Sequence, residues 1–176
     1  MLKDSRSLDS LIHTLRVQVV IVLEECASAG VIMVPYRCAG SPQTQAKLWR
    51  QSRTTKEIVQ ALTLLRDRGA PWLADVLEAA GPQYGRKVTD AMPGFSRHNW
   101  LSAVDCYWDV DGRAEWSSKR MVNGLNGYQL YRTIAIKRGL ARGPLNDFPH
   151  IQSLITPGLA RPWSSIDADM KGMWSE

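Results

Sequence analysis

The stretch Ser96-Arg97-His98-Asn99-Trp100-Leu101-Ser102-Ala103-Val104-Asp105-Cys106-Tyr107-Trp108-Asp109-Val110 decides how this chain is read. From Ser102 onward the residues alternate. Val104, Cys106, Trp108 and Val110 point one way, and Ala103, Asp105, Tyr107 and Asp109 the other, which is the period of a half-buried strand. Asp109-Val110-Asp111-Gly112 closes that strand as a turn. Asp105 therefore falls on the face opposite the apolar set, where its carboxylate can serve a site. His98 precedes the strand in a loop, and a loop histidine can fold back onto a strand residue a few positions later.

A second stretch, Asp147-Phe148-Pro149-His150, repeats the pairing of a histidine with a carboxylate. The chain has only 3 histidines, and two lie in these stretches. Two imidazoles and one carboxylate make a catalytic zinc site with an open fourth position, and a second carboxylate can act as base toward a bound water. In a regular strand Asp147 and His150 would face opposite ways. Pro149 cannot donate to a ladder and biases Phe148 toward an extended conformation, so a bend there would aim both side chains at one point. Either motif alone is better read as ordinary polar residues. The two together, on strand-like segments, point to a metal centre.

Outward from these stretches the chain reads as helices first. Leu8, Leu11, Ile12, Leu15, Val19, Val22, Leu23 and Cys26 recur at helical spacing, predicting a helix from Ser7 to Ala29 stopped by Gly30. His13 lies in it with no ligand-like neighbour and reads as a partly exposed helix residue. Val31 to Val34 reads as a short strand ended by Pro35. Ser41-Pro42 opens a helix through Gln45, Leu48 and Trp49, with Ser as N-cap and Pro at N1. Thr55 to Arg68 and Pro71 to Ala80 follow as helices, separated by Gly69-Ala70-Pro71 and ended by Gly81-Pro82. Val88 to Gly94 is irregular. Gly127 to Leu140 reads as a helix with Gly139 near its end, and Phe148 to Leu154 as a last strand. The tail after Pro157 has no readable period. The expected class is α+β, a single domain over residues 1–176 with its core at about 7–155, in which N-terminal helices surround a small, mainly antiparallel sheet.

Composition permits such an enzyme without specifying one. The chain has 176 residues, 44% hydrophobic and 22% charged, ordinary for a globular protein. Its 7 tryptophans fit a core or a lined groove, and its net charge of +5 favours anionic partners. Basic residues are scattered, with no Lys/Arg block or aromatic-basic stripe, which argues against nucleic acid. The 3 cysteines, Cys26, Cys38 and Cys106, lack metal spacing and read as buried thiols. Val17 to Leu23 is too short to span a bilayer, and no secretory signal is visible, so synthesis in the cytoplasm without stable membrane insertion is expected.

These motifs resemble those of the LAS-type zinc peptidases, which include D-Ala-D-Ala carboxypeptidases, vancomycin-resistance dipeptidases and phage L-alanyl-D-glutamate endolysins. The sonic hedgehog signalling domain shares their fold. The resemblance implies that the Ser-x-His-x6-Asp motif supplies the first two zinc ligands, His98 and Asp105, with Ser96 placed to contact substrate. It implies that Asp147 is the general base and His150 the third ligand, Ile151-Gln152 continuing the phage form of the motif. Upstream, Tyr36-Arg37 followed by Gln45 and Leu48-Trp49 matches the family pattern, so Arg37 would stabilise the oxyanion and Gln45 would bind substrate. Gly69-Ala70-Pro71, Val88-Thr89 and the Gly127-Tyr128 helix resemble the endolysin branch. The resemblance spans roughly residues 7 to 155.

The implied activity is a zinc-dependent hydrolase of peptidoglycan, a bacteriolytic bacteriophage endolysin cutting the L-Ala–D-Glu bond. Such a protein would act as a monomer on the cell wall after release by a holin. A D-Ala-D-Ala carboxypeptidase is the nearer rival, and a non-catalytic zinc-binding domain of hedgehog type the more distant one. One departure bears on all three. The family has a Gly-containing pair between histidine and aspartate, where this chain has Leu101-Ser102. If that glycine sits at positive φ, leucine costs roughly 1–2 kcal/mol. If it makes room for substrate, leucine narrows the cleft.

Overall fold

The computed structural model describes residues 2–156 and 158–175, and the fold is α+β. Its elements in chain order are α1 (His13–Ser28), β1 (Ile32–Arg37), α2 (Pro42–Arg50), α3 (Thr55–Asp67), α4 (Pro71–Ala79), β2 (Ala103–Val110), β3 (Arg113–Glu115), α5 (Gly127–Lys137), β4 (Leu140–Arg142), β5 (His150–Ser153) and α6 (Trp163–Trp174). Two 3-10 turns, Leu8–Ser10 and Arg97–Trp100, complete them. The residues sort into two compact units. One is the sheet unit, Ser5–Ala39 with Leu101–Ile155. The other is a helical unit built on Gly40–Trp100 with the two ends of the chain.

In the sheet unit all strands pair antiparallel, in the order β1-β2-β5-β4, with β3 pairing β2 off this path. The expected alternation of β2 is realised. Val104, Cys106 and Trp108 join Leu15, Val19, Val22 and Cys26 of α1 and Tyr128, Tyr131, Ile134 and Ala135 of α5 in one apolar core. Each large apolar side chain buried there contributes roughly 1.5–3 kcal/mol. Asp105, out of phase with that set, faces the other side of the sheet. Gly127 opens α5 because a Cβ there would lie 2.4 Å from the Trp108 ring.

Several expected boundaries shift. The predicted Ser7–Ala29 helix is broken. Leu11 and Ile12 are extended, with ψ of 153 and 141, and α1 starts at His13. Serine chemistry explains the break: Ser7 Oγ accepts from Asp9 N at 3.1 Å and Ser10 Oγ donates to Ser7 O at 2.7 Å, satisfying the backbone locally. At the other end α1 stops as expected. Gly30 has φ 80, Gly30 N donates to Ala27 O and Val31 N to Cys26 O, a Schellman closure. β1 does not end at Pro35 but runs to Arg37. Pro35 is tolerated because β1 is the end strand of the sheet and pairs irregularly there.

The turn after β2 is tighter than its sequence alone suggested. Asp111 and Gly112 have φ 53 and 75, the two positive values of a type I′ hairpin, and β3 follows where no strand was expected. Leu140, assigned to the end of a helix, instead opens β4. The last strand is shorter than expected, His150–Ser153.

In the helical unit the capping signals hold. Ser41 Oγ accepts from Thr44 N, and Thr54 with Glu57 forms a capping box at α3. The N-cap of α4 is Ala70, which has no capping side chain. Buried Asp167 supplies one instead, accepting from Leu73 N at 2.7 Å and Trp72 N at 3.4 Å. Asp167 lies on α6, which forms in the tail that had no readable period and buries Ile166, Met170 and Trp174. Pro157, which opens that tail, lies outside the described residues.

Candidate metal centre

The sheet register builds a row of polar side chains. Arg37 of β1 pairs with Asp105 of β2, and Asp105 pairs with His150 of β5. Directly opposed residues of an antiparallel pair share a face, so all three project to the side away from α1 and α5. Two sequence features set this row. Pro35 opposes Cys106 and Arg37 opposes Asp105, so Tyr36 is an extra residue, a β-bulge that turns Arg37 off the core face. On the other side the ladder stops at His150, because Pro149 has no N–H. Its carbonyl instead accepts from Cys106 N at 3.0 Å.

The expected bend before His150 is present. Asp147 N donates to Pro144 O at 3.0 Å and His150 N to Asp147 O at 3.4 Å, so two consecutive turns deliver the chain into β5. Asp147 Oδ2 comes to 4.0 Å from His150 Nδ1, while Asp105 Oδ1 lies 2.7 Å from the same nitrogen. The His150 and Asp105 side chains are nearly closed to solvent, at 10% and 9% exposure, whereas that of Asp147 is 48% exposed. Burial works to lower the pKa of His150, but the hydrogen bond and charge of Asp105, the charge of Asp147 and the contact with Gln152 outweigh it, and the net shift is upward. Burial, reinforced by the charges of Asp105 and Asp147, also holds the Tyr36 hydroxyl in its neutral form.

His98 belongs to the 3-10 turn Arg97–Trp100, where a loop was expected, and is 4% exposed. Its neighbour Asn99 pins that turn. Asn99 Oδ1 accepts from Gly94 N at 2.9 Å, Asn99 Nδ2 donates to Gly40 O at 2.6 Å, and Asn99 O accepts from Trp174 Nε1 at 3.1 Å. Asn99 was not among the residues singled out by sequence, since an isolated Asn carries no periodic signal. Leu101, which ends the turn, has φ 56, so the glycine-like backbone considered above is what this leucine adopts.

Ligand atoms of His98, Asp105 and His150 all lie within 4.8 Å of one another, and this buried group can hold a metal ion. Two imidazole nitrogens and one carboxylate oxygen are a donor set that zinc accepts. The other expected site residues are placed differently. Ser96 is 7% exposed, and its carbonyl accepts from Asn99 N, closing the turn that carries His98. Gln45 is 1% exposed, and its Nε2 donates to Thr89 Oγ1 at 3.2 Å and Ala91 O at 2.7 Å. It braces the irregular 88–94 stretch. Cys26, Cys38 and Cys106 are buried thiols whose pKa values burial raises, with the charge of Asp105 adding to the shift at Cys38 and Cys106.

Neither the protein-family models nor the curated proteins searched give a match to this chain.

Proposed function

We propose that this chain is a zinc metallopeptidase of peptidoglycan, an endopeptidase of the phage endolysin kind that hydrolyses the L-Ala–D-Glu bond of stem peptides. The observation that carries the reading is the buried His98, Asp105 and His150 group with a half-exposed carboxylate, Asp147, 4.0 Å from His150. Zinc bound by the three ligands would act as a Lewis acid toward a water and the scissile carbonyl.

The residues around the group divide the remaining work. Asp147 is outside the ligand set and open to solvent, so it is suited to take the proton of the attacking water and return it to the leaving amine. The water oxygen joins the carbonyl carbon, the carbon–nitrogen bond breaks, and the amine leaves neutral. Arg37, in register with Asp105, puts a permanent cation on the same face, where negative charge on the carbonyl oxygen can be stabilised. The choice of bond and substrate rests on the motif resemblance. The net charge of +5 suits approach to an anionic wall, reached by holin-type release after cytoplasmic synthesis.

Digestion of purified muropeptides, with and without chelator and read by mass, tests the proposal. A chelator-sensitive peptide beginning with D-Glu is expected. Free D-alanine as the sole product would replace the reading with a D-Ala-D-Ala carboxypeptidase. No product from zinc-loaded protein would leave a hedgehog-like binding domain.

A further inference from the structure

Tyr128, Tyr131, Arg132 and Ala135 form a buried stripe of α5 at helical spacing. Arg132 is the cation in that stripe, and only 7% of it is exposed. Its Nη1 donates to Leu145 O at 3.4 Å, and its guanidinium carbon lies 5.0 Å from the centre of the Phe148 ring. Its Nη2 is buried and has no hydrogen-bond partner. Burial, with the charge of Arg142, holds its pKa below the usual value for arginine, while the charge of Asp147 works the other way.

A buried N–H without an acceptor costs stability, and an unbranched apolar side chain such as methionine would fill the stripe without that cost. Helix packing is therefore not what the arginine supplies. What it touches is the connection 143–149 between β4 and β5. Pro144, Leu145 and Asn146 are exposed there, so few apolar contacts hold the segment. Leu145 stands two residues before Asp147 and Phe148 one after it, and both lie against the same guanidinium. A planar guanidinium can donate along its edge and stack through its face, so one arginine serves both contacts. Between them the Asp147 amide closes its turn on Pro144 O at 3.0 Å.

We propose that Arg132 is the positioning residue of Asp147: anchored on the buried face of α5, it grips the loop at Leu145 and Phe148 and so sets where the carboxylate between them stands. The proposal rests on the reading of Asp147 as the base and adds what holds that base in place. Without the guanidinium the turn at Asp147 opens more often, and the carboxylate spends less time within reach of the attacking water. Binding of metal and substrate does not need the grip; the chemical step does.

Hydrogen exchange of the Asp147 amide, followed by NMR in chelated full-length protein, reads the turn directly. Wild type is compared with Arg132→Met, and zinc affinity, kcat and KM on muropeptides are measured on the same preparations. In Arg132→Met the Asp147 amide should exchange roughly tenfold faster, the worth of about one hydrogen bond. Amides of α5 and β5 should be unchanged, and the denaturation midpoint unchanged or higher. Zinc affinity and KM should stay, while kcat falls by up to about 10²-fold. Unchanged exchange at Asp147 overturns the proposal. So does a lower midpoint with faster exchange across α5, β4 and β5 alike, which is what a merely structural role gives. Should Arg132→Met not fold, Phe148→Leu decides, since it removes the ring under the guanidinium and keeps the arginine. The same local rise is expected there, and its absence overturns the proposal. A zinc-loaded wild type without turnover removes Asp147 as a base, and the exchange comparison still decides whether Arg132 holds its loop.

Discussion

Asp105 and His150 oppose each other across β2 and β5, and their side chains meet at 2.7 Å between Oδ1 and Nδ1. In the absence of metal, a proton occupies the line between these two atoms. Metal and proton thus compete for one place, and the predictions below follow from that competition and from the residues around it.

One zinc per chain is expected, bound with loss of protons. Metal analysis of purified protein checks the stoichiometry. A His98→Ala/His150→Ala double variant should lose the metal, and its retention at one equivalent would remove the ligand assignment.

The pH dependence of the metal-free protein should oppose that of zinc binding. His150 is raised above its ordinary value of 6.5 in the fold. Its contribution to stability is therefore complete below about 6.5 and is lost as pH rises through the higher folded value. Zinc needs the deprotonated ring, so its affinity rises over the same window. Denaturant midpoints of chelated wild type, referred to His150→Gln at each pH, read the first effect. A difference that grows with pH would contradict it.

Asp147→Ala should keep zinc and lose turnover by about 10²–10⁴-fold, the usual share of general acid–base catalysis. Zinc titration and muropeptide turnover on the same preparation separate the two properties. Near-normal rates would move the role of base to another residue.

Leu101 has φ 56, a conformation that costs an L-residue with a Cβ roughly 1–2 kcal/mol. Leu101→Gly should gain about 1 kcal/mol after the extra chain entropy of glycine is subtracted, or about 2–4 °C in midpoint. Leu101→Ala keeps the strain and should gain nothing. If Leu101→Gly is less stable than wild type, the packing of the leucine outweighs the strain. Wild type inactive beside an active Leu101→Gly would show instead that this side chain narrows the cleft.

Much of this arrangement is legible in the sequence, where periodicity is strong. The Leu15, Val19, Val22 and Cys26 stripe, the alternation of β2 and the caps at Ser41 and Thr54 each specify their element locally. What escaped is what short segments leave unsaid. β3 and β4 are three residues long, too few to show a period. α6 does space Ile166, Met170 and Trp174 evenly, but its reason for being there is the distant N-terminus of α4, capped by Asp167. The members of the buried His98, Asp105 and His150 group could be named from their motifs. That Gln45 turns inward, and that the Gly143 backbone lies against the His150 ring, could not, because neither follows from spacing along one strand.

The extra residue at Tyr36 makes β1 a counting device. Met33 and Pro35 pair with the core-facing Trp108 and Cys106, whereas Arg37 pairs with Asp105. Odd-numbered residues thus change sides only because one residue is skipped between them. Loss of Tyr36 would leave Arg37 directly after Pro35 and still opposite Asp105, in regular register. The bulge therefore holds one spare residue of length in β1. Its register with β2, more than the identity of most residues in it, is what keeps a cation beside Asp105 and His150.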